Sequence, residues 1–361
     1  MSTTRRRTGV ALATGVIALA GVSACSDDDT DSDKGGSRTT VASTPAASDA
    51  AAEDLQSQYQ KVVRDVLPSV VQITTSTGLG SGVVYDDKGH IVTNAHVVGT
   101  ATTFQVTLPN ASKPVGAKLV AAFAPDDLAV IVLDDPPDGL KPASFGDSGK
   151  LEVGQITMAM GNPLGLDSSV TEGIISAVGR VVSEPQSADS AGATISSAIQ
   201  TSAAINPGNS GGALVDLDSR VIGIPTLAAT DPDANGSTAP GIGFAIPSNT
   251  VKSIADQIIK DGKVVNSGKA ALGVTVRTVA DASGRGSGVG VVTVQDGGAA
   301  KAAGIQPGDV ITAVGDEQVT GTDDLAEAIG ALKPGDKVTM TVIGNGGGKR
   351  TVDVTLGELK S

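Results

Sequence analysis

Aromatic, basic and sulfur-bearing residues are scarce in this 361-residue chain. There is no tryptophan, and only 2 tyrosines and 4 phenylalanines, so any core must be built mainly from Val, Ala, Ile and Leu. A single cysteine excludes an internal disulfide, the usual reason for cysteine in an exported protein. The 26 basic residues against 39 acidic ones give a net charge of −13, so no basic face is available to nucleic acid. With only 2 histidines, His90 and His96, no cluster of His, Cys and acids could hold zinc, and no metal or other cofactor is expected. Glycine is abundant, at 47 residues, which points to many turns and short strands rather than long helices. At this length the chain holds two or three domains, each with its own core.

Arg5, Arg6 and Arg7 precede the apolar run "TGVALATGVIALAGVSA", the pattern of a targeting segment. At about 1.5 Å per residue the run is marginal for spanning a bilayer of ~30 Å. It ends in "VSAC", which resembles a bacterial lipobox, in which Cys25 becomes the lipidated first residue of the mature protein. Residues 1–25 therefore read as a lipoprotein-type signal peptide, with an ordinary secretory signal or an uncleaved anchor as alternatives. The expected address is the extracytoplasmic face of the cell membrane. Between Ser26 and Asp54 stand 8 acidic residues and 2 basic ones, with few large apolar side chains. Such a segment cannot bury enough surface to offset its ordering entropy, so residues 26–54 read as a disordered acidic linker.

From about Leu55 to Pro247, short runs rich in Val, Ile and Thr alternate with turn chemistry, as in "SVVQITTS", "TFQVTLPN" and "TEGIISAVGRVVS". That is the pattern of an all-β barrel or sandwich built of hairpins, with turns at "YDDKGH" and "DLDSR". An amphipathic helix is expected around "SNTVKSIADQIIKDGK", with Ser248 or Asn249 as N-cap and Gly262 as stop, serving as a connector over residues 251–268. Residues 269–359 alternate strands such as "LGVTV" and "DVITAVGDEQV" with helices at "GAAKAAG" and "DDLAEAIGAL", and form a compact α+β module.

The segment "INPGNSGGALV" surrounds Ser210 with residues that bend, then resumes a strand. A hairpin turn and a serine nucleophile on a tight loop are both consistent with it. A nucleophilic serine needs a histidine base and an acid to orient that base. "GNSGG" also fits the nucleophile elbow of α/β-hydrolases, but that fold places its histidine after the serine and none follows Ser210. The order His…Asp…Ser remains, with His96 at the end of the strand in "IVTNAHVV" and an acid of "DDLAVIVL" before a buried strand. Adjacent strand residues face opposite sides, so only one of Asp126 and Asp127 can reach His96. His90, beside Gly89 in a turn, reads as a surface residue.

"GSGVV…GHIVTNAHVV", "DDLAVIVL", "GNPLG…SVTEGIISAVGR", "IQTSAAINPGNSGGALV" and "GIGFAIPSN" together resemble the HtrA (Deg) family of trypsin-like serine proteases, and residues 269–359 resemble its PDZ module. The resemblance implies a mainly β protein: a chymotrypsin-like double β-barrel over 55–250, followed by an α+β PDZ domain. It implies His96 as general base, Asp127 as orienter and Ser210 as nucleophile, with an oxyanion hole at Gly208, Asn209 and Ser210. Gly208 would turn its N–H toward the reacting carbonyl, and Gly211 and Gly212 would keep bulk away from the nucleophile. Ile205 and Ile224 would line an apolar specificity pocket selecting small to medium aliphatic side chains. "ALGV", Ala271 to Val274, would receive a peptide C-terminal carboxylate on its backbone N–H groups. Two departures stand out. Ser202 occupies a place where the family has Asp, and Pro225 one where it has Asn. The family's habit implies a homotrimer, for which residues 55–70 offer only Tyr59 as a packing aromatic. The implied activity is that of an envelope endopeptidase acting on unfolded or damaged protein. A proteolytically silent PDZ chaperone or adaptor, and a dedicated signalling protease with one envelope substrate, are the alternatives.

Two weaker motifs carry no function. "DPDANG", from Asp231, matches half a calcium loop but has Ile242 where the bidentate Glu belongs. "GNGGGK" lacks the spacing of a phosphate loop and reads as a hairpin tip.

Overall fold

The computed structural model describes residues 47–76, 78–109, 111, 113–162, 169–184, 192–206, 208–231, 237–280 and 284–359. The signal peptide with Cys25 and the linker up to residue 46 lie outside them, as do Pro207 and residues 232–236 of the half calcium loop.

The first element corrects the reading of the linker. Helix α1 spans Ala47–Val66, beginning inside the segment read as a tether that ends at Asp54. Ala, Leu, Gln, Glu and Arg are good helix formers, and Tyr59, Val62, Val63 and Val66 recur at helical spacing on one face. Val62 and Val66 are buried in the core, with Tyr59 and Val63 packed against it.

Two antiparallel barrels follow. In the first, β1 (Val70–Thr74), β2 (Leu79–Val84), β3 (His90–Thr93), β4 (Thr103–Thr107), β5 (Val115–Phe123) and β6 (Leu128–Leu133) close in the order β1-β2-β3-β6-β5-β4. The one-turn helix α2 (Ala95–Val98) leaves the end of β3. In the second barrel, β7 (Ile156–Gly161), β8 (Ser169–Glu184), β9 (Ala193–Thr201), β10 (Ala213–Val215), β11 (Val221–Asp231) and β12 (Ser237–Pro247) close in the order β10-β11-β12-β9-β8-β7. A shared cluster joins the barrels: Val70, Val83 and Val130 of the first meet Met158, Ala213 and Ile246 of the second.

Helix α3 (Ser248–Asp261) ends on Gly262, which adopts the left-handed φ of 71° expected of a stop and donates to the Ile258 carbonyl. Its start differs from the sequence reading. Pro247 holds the N-cap position, the Ser248 hydroxyl donates to the Gly146 carbonyl (2.9 Å), and the Asn249 amide donates to Asp147 (2.8 Å). Nor is α3 merely a connector, because Val251, Ile254, Ala255 and Ile258 are buried in the core shared by the barrels.

The C-terminal module has its own core around Val289, Ile311, Leu325, Met340 and Val354. It contains β13 (Ala270–Ala271), β14 (Val274–Ala280), β15 (Gly286–Val294), α4 (Ala299–Ala302), β16 (Val310–Val314), β17 (Glu317–Gln318), α5 (Thr322–Gly330), β18 (Lys337–Ile343), β19 (Lys349–Thr355) and β20 (Gly357–Glu358). The expected strand "DVITAVGDEQV" folds back as β16 and β17, turning at Gly315 with φ 58°. The main sheet runs β14-β15-β16-β18-β19, and β13 pairs with β20 near the module's two ends.

Candidate active site

His96 sits in α2, one turn beyond the strand that the sequence suggested would carry it. Its partner Asp127 is not on a strand either. Ala124–Asp126 form a single 3-10 turn, Asp127 follows with a left-handed φ of 50°, and β6 begins only at Leu128. The backbone of Asp127 is held on both sides: its N–H donates to Ala124 (2.9 Å), and its carbonyl accepts from Ala95 N–H (3.1 Å) and the Asn94 amide (3.0 Å). Its buried carboxylate then meets His96 twice, taking the backbone N–H on Oδ1 (2.9 Å) and ring Nδ1 on Oδ2 (2.7 Å). The Thr226 hydroxyl also donates to Oδ2. A carboxylate only accepts, so it is Nδ1 of the ring that donates in this contact.

The two neighbouring acids part company because of the turn, not because of strand alternation. Asp126 is 1% exposed, and its Oδ1 lies 2.6 Å from Lys269 Nζ. Burial pushes its carboxyl above the usual range, Lys269 opposes that rise and Asp127 adds to it.

Ser210 lies on the turn before β10. Its carbonyl accepts from Ser81 N–H (3.0 Å), and its hydroxyl donates to the Thr226 carbonyl (3.4 Å). The Ser81 hydroxyl reaches the Gly208 carbonyl (2.5 Å) and accepts from Asn162 N–H (2.8 Å), which ties the loop to the first barrel and to the end of β7. Gly208 has φ 127°, a conformation that glycine alone adopts without strain. Gly211 is required too: with φ 78°, a Cβ there would collide with the Ser81 carbonyl and the Thr93 hydroxyl. The N–H groups of Gly208 and Ser210 donate to nothing among the described residues. Asn209 is different. Its N–H donates to the Asn206 carbonyl (3.1 Å) and its side chain ties to Asn206 and Ala204, so it shapes the turn rather than offering a donor to a ligand.

Ile205 is buried against Gly243, at whose missing Cβ its own side chain sits. Ile224 is fully buried among Val215, Val221 and Ile246, so its side chain belongs to the core behind the site and does not line an open wall. Ser202 accepts the Ile174 N–H (3.0 Å) on its hydroxyl. Pro225 is accommodated in β11, and its carbonyl accepts from Gly211 N–H (3.0 Å). In the C-terminal module, Ala271 ends β13 and Val274 begins β14. Between them, Gly273 has φ 72° and its carbonyl accepts from Gln295 N–H (2.8 Å). The N–H groups of Leu272 and Gly273 donate to nothing among the described residues.

Sequence reading missed Ser81, Asn94 and Thr226. Each is a buried polar residue inside an apolar run, and that mismatch was the available signal.

The chain matches the trypsin-like peptidase domain over residues 80–224 and the PDZ domain over residues 270–356. It is 39% identical to a serine protease named PepD from Mycobacterium tuberculosis, over 88% of this chain and 70% of that protein. It is 40% identical to a probable periplasmic DegP-like serine endoprotease of Brucella suis, over 73% of this chain and about half (49%) of that longer protein. Among solved structures, the HtrA-type protease AlgW with a decapeptide superposes with a TM-score of 0.55 at 29% identity, covering 83% of this chain and 98% of that one. The serine endoprotease from Yersinia pestis gives 0.54 at 32% identity, covering 83% and 98%. These likenesses agree with the double barrel and its appended module, and the chain belongs to the HtrA-type family of trypsin-like serine proteases carrying a PDZ domain.

Proposed function

We propose that His96, Asp127 and Ser210 form the catalytic triad of an envelope endopeptidase that degrades unfolded or damaged proteins. The observation that carries this reading is the double clasp of Asp127 on His96, which leaves Nε2 as the base. Nε2 takes the Ser210 proton as Oγ attacks the scissile carbonyl. In the structure the Ser210 hydroxyl donates to the Thr226 carbonyl (3.4 Å), and the reaction requires its proton to pass to His96 Nε2. The oxyanion of the tetrahedral intermediate falls to the N–H groups of Gly208 and Ser210; one such donor is typically worth about 3–4 kcal/mol of barrier. His96 returns the proton to the leaving amine, and a water deprotonated by His96 then releases the acyl group from Ser210.

Ile205 is assigned the wall of the primary specificity pocket, which favours small to medium aliphatic side chains before the scissile bond. The loop Ala271–Val274 is assigned the peptide C-terminal carboxylate, received by the N–H groups of Leu272 and Gly273, while β14 offers its edge to the peptide. The N-terminal segment, lipidated at Cys25, would hold the enzyme on the extracytoplasmic face of the membrane; a relative named as periplasmic supports that side. A homotrimer completes the proposal. Tyr59 packs against this chain's own core, so threefold contacts would have to come from other residues.

Ser202, standing where the family has Asp, favours a second reading, a silent PDZ adaptor. Fluorophosphonate labelling decides between them, run with and without a peptide bearing an apolar C-terminus. Labelling lost in Ser210→Ala is the expected result. Labelling seen only in Ser202→Asp would favour the adaptor, and none in any variant would overturn the protease reading.

A further inference from the structure

Lys269 is the last residue before β13, so it belongs to the root of the PDZ domain, yet its side chain ends inside the protease domain. It is 14% exposed. Its ammonium group has three protons and finds three oxygens: Asp126 Oδ1 at 2.6 Å, the Pro125 carbonyl at 3.0 Å and the Thr194 carbonyl. Pro125 and Asp126 belong to the 3-10 turn of the first barrel, and Thr194 to β9 of the second. One side chain from the PDZ root thus joins three parts of the molecule at the turn that ends on Asp127. Lys269 is itself anchored, because its carbonyl accepts from Leu359 N–H (2.9 Å) and its N–H donates to the Ser267 hydroxyl (3.1 Å).

Among the described residues, the Asp126 carboxylate has no other partner. Its second oxygen, Oδ2, is buried without a hydrogen-bond partner among the described residues. Among the described residues, Lys269 therefore supplies the only opposite charge bound to a carboxylate with almost no access to water. A buried charge stripped of its partner must take up a proton or draw in water, and either response moves the turn that contains it. The backbone of that turn sets the left-handed conformation of Asp127, whose N–H closes on Ala124 and whose carbonyl holds Ala95 and Asn94. A shift there changes the angle at which the carboxylate meets His96.

We propose that Lys269 is a positioning residue of the protease site: acting through Asp126, it holds Asp127 in register with His96, so that the PDZ root contributes to the active site. The inference rests on the triad reading. Like charges one residue apart, Asp126 and Asp127, are tolerated because Lys269 neutralises the first of them. The interaction gives the PDZ domain a physical route to the chemistry, since the carboxylate loop begins two residues after Lys269.

The test uses the full chain purified in detergent, with wild type, Lys269→Met, Asp126→Asn and the double variant. The readouts are the fluorophosphonate labelling rate and kcat and KM on a short chromogenic peptide that does not engage the PDZ groove, with kcat counted per labelled site. In Lys269→Met, kcat should fall roughly 10- to 100-fold, the scale of a displacement of about 1 Å in a catalytic group, while KM stays within about twofold. The double variant removes the stranded charge and should recover part of the loss. A kcat within about threefold of wild type in Lys269→Met, or no recovery in the double variant, overturns the proposal. If Lys269→Met fails to fold, Asp126→Asn decides alone. There kcat should drop with KM unchanged, and an unchanged kcat overturns the inference. A wild-type chain that neither labels nor cleaves, by contrast, would sink the triad reading itself, which separates the two failures.

Discussion

Two histidines in this chain are clasped by an aspartate in the same manner. His90 Nδ1 lies 2.7 Å from Asp86 and its N–H 3.0 Å from the same carboxylate, matching the 2.7 and 2.9 Å of His96 on Asp127. What distinguishes them is the third partner. Asp86 and His90 close a hairpin turn locally, whereas Asp127 also takes a hydrogen bond from Thr226, whose carbonyl holds the Ser210 hydroxyl. Thr226 therefore bridges Asp127 and Ser210, the proposed acid and nucleophile. Thr226→Val removes the hydroxyl but keeps the shape and the backbone carbonyl. A hydrogen bond to a charged group is worth about 1.5–3 kcal/mol, so part of it lost from the transition state lowers kcat by about tenfold, with little change in KM. His90→Asn should leave labelling and kcat unchanged. Steady-state kinetics on the two variants side by side measures this, and a reversed order would assign the chemistry to the wrong histidine.

At the scale of elements, α1 and α5 make distinct predictions. Val62 of α1 is fully buried, so Val62→Ala should cost about 2 kcal/mol and lower the protease-domain Tm by about 4–8 °C. No change in Tm would return α1 to the tether. In α5, Asp324 reaches back to the N–H groups of Thr320 (2.8 Å) and Gly321 (3.1 Å) and to the Thr320 hydroxyl (2.6 Å). Asp324→Ala should cost about 1 kcal/mol of PDZ stability. The Thr320 hydroxyl, aided by these backbone donors, holds the Asp324 carboxyl below its usual range. A depressed folded value means stability that is present above the ordinary carboxylate range and lost as pH falls through the folded value. The Tm gap between wild type and Asp324→Ala should therefore narrow on acidification. The stop at Gly262 and most strands were legible because a single local rule decides each of them. Helix α1 was not, because its mean composition is that of a linker and only the spacing of Tyr59, Val62, Val63 and Val66 reveals the buried face. The candidate residues His96, Asp127 and Ser210 could be singled out in the sequence because they stand in recognisable motifs. The left-handed turn at Asp127 and the hydroxyls of Thr226 and Ser81 were not, since those contacts join strands far apart in the chain.

Among the described residues, one cluster threads both barrels with α1 and α3, each barrel has a further cluster in its own interior, and the PDZ module closes on a cluster of its own. Barrels that share a core should unfold as one unit, with the smaller module following its own transition. Among the contacts between the two, Leu359 of the PDZ module packs against the shared barrel cluster. Lys269 reaches Asp126, and Gly330 at the end of α5 lies so close to β8 and β9 that a Cβ there would meet Val181, Thr194 and Ser196 at 3.5–3.6 Å. Scanning calorimetry of the full chain should then resolve two transitions. Met340 is fully buried in the PDZ core, so Met340→Ala should remove at least about 2 kcal/mol, moving the PDZ transition down by about 8–16 °C and leaving the barrel transition in place. Lys269→Met should act on the other side of the boundary, because the charge it strands lies in the barrels: the barrel transition falls while the PDZ transition holds. A single transition displaced as a whole by Met340→Ala would mean that the ion pair and the α5 contact fuse the domains into one cooperative unit. The PDZ module would then be structural support for the protease at all times, rather than a separately folded domain that reaches the active site through one lysine.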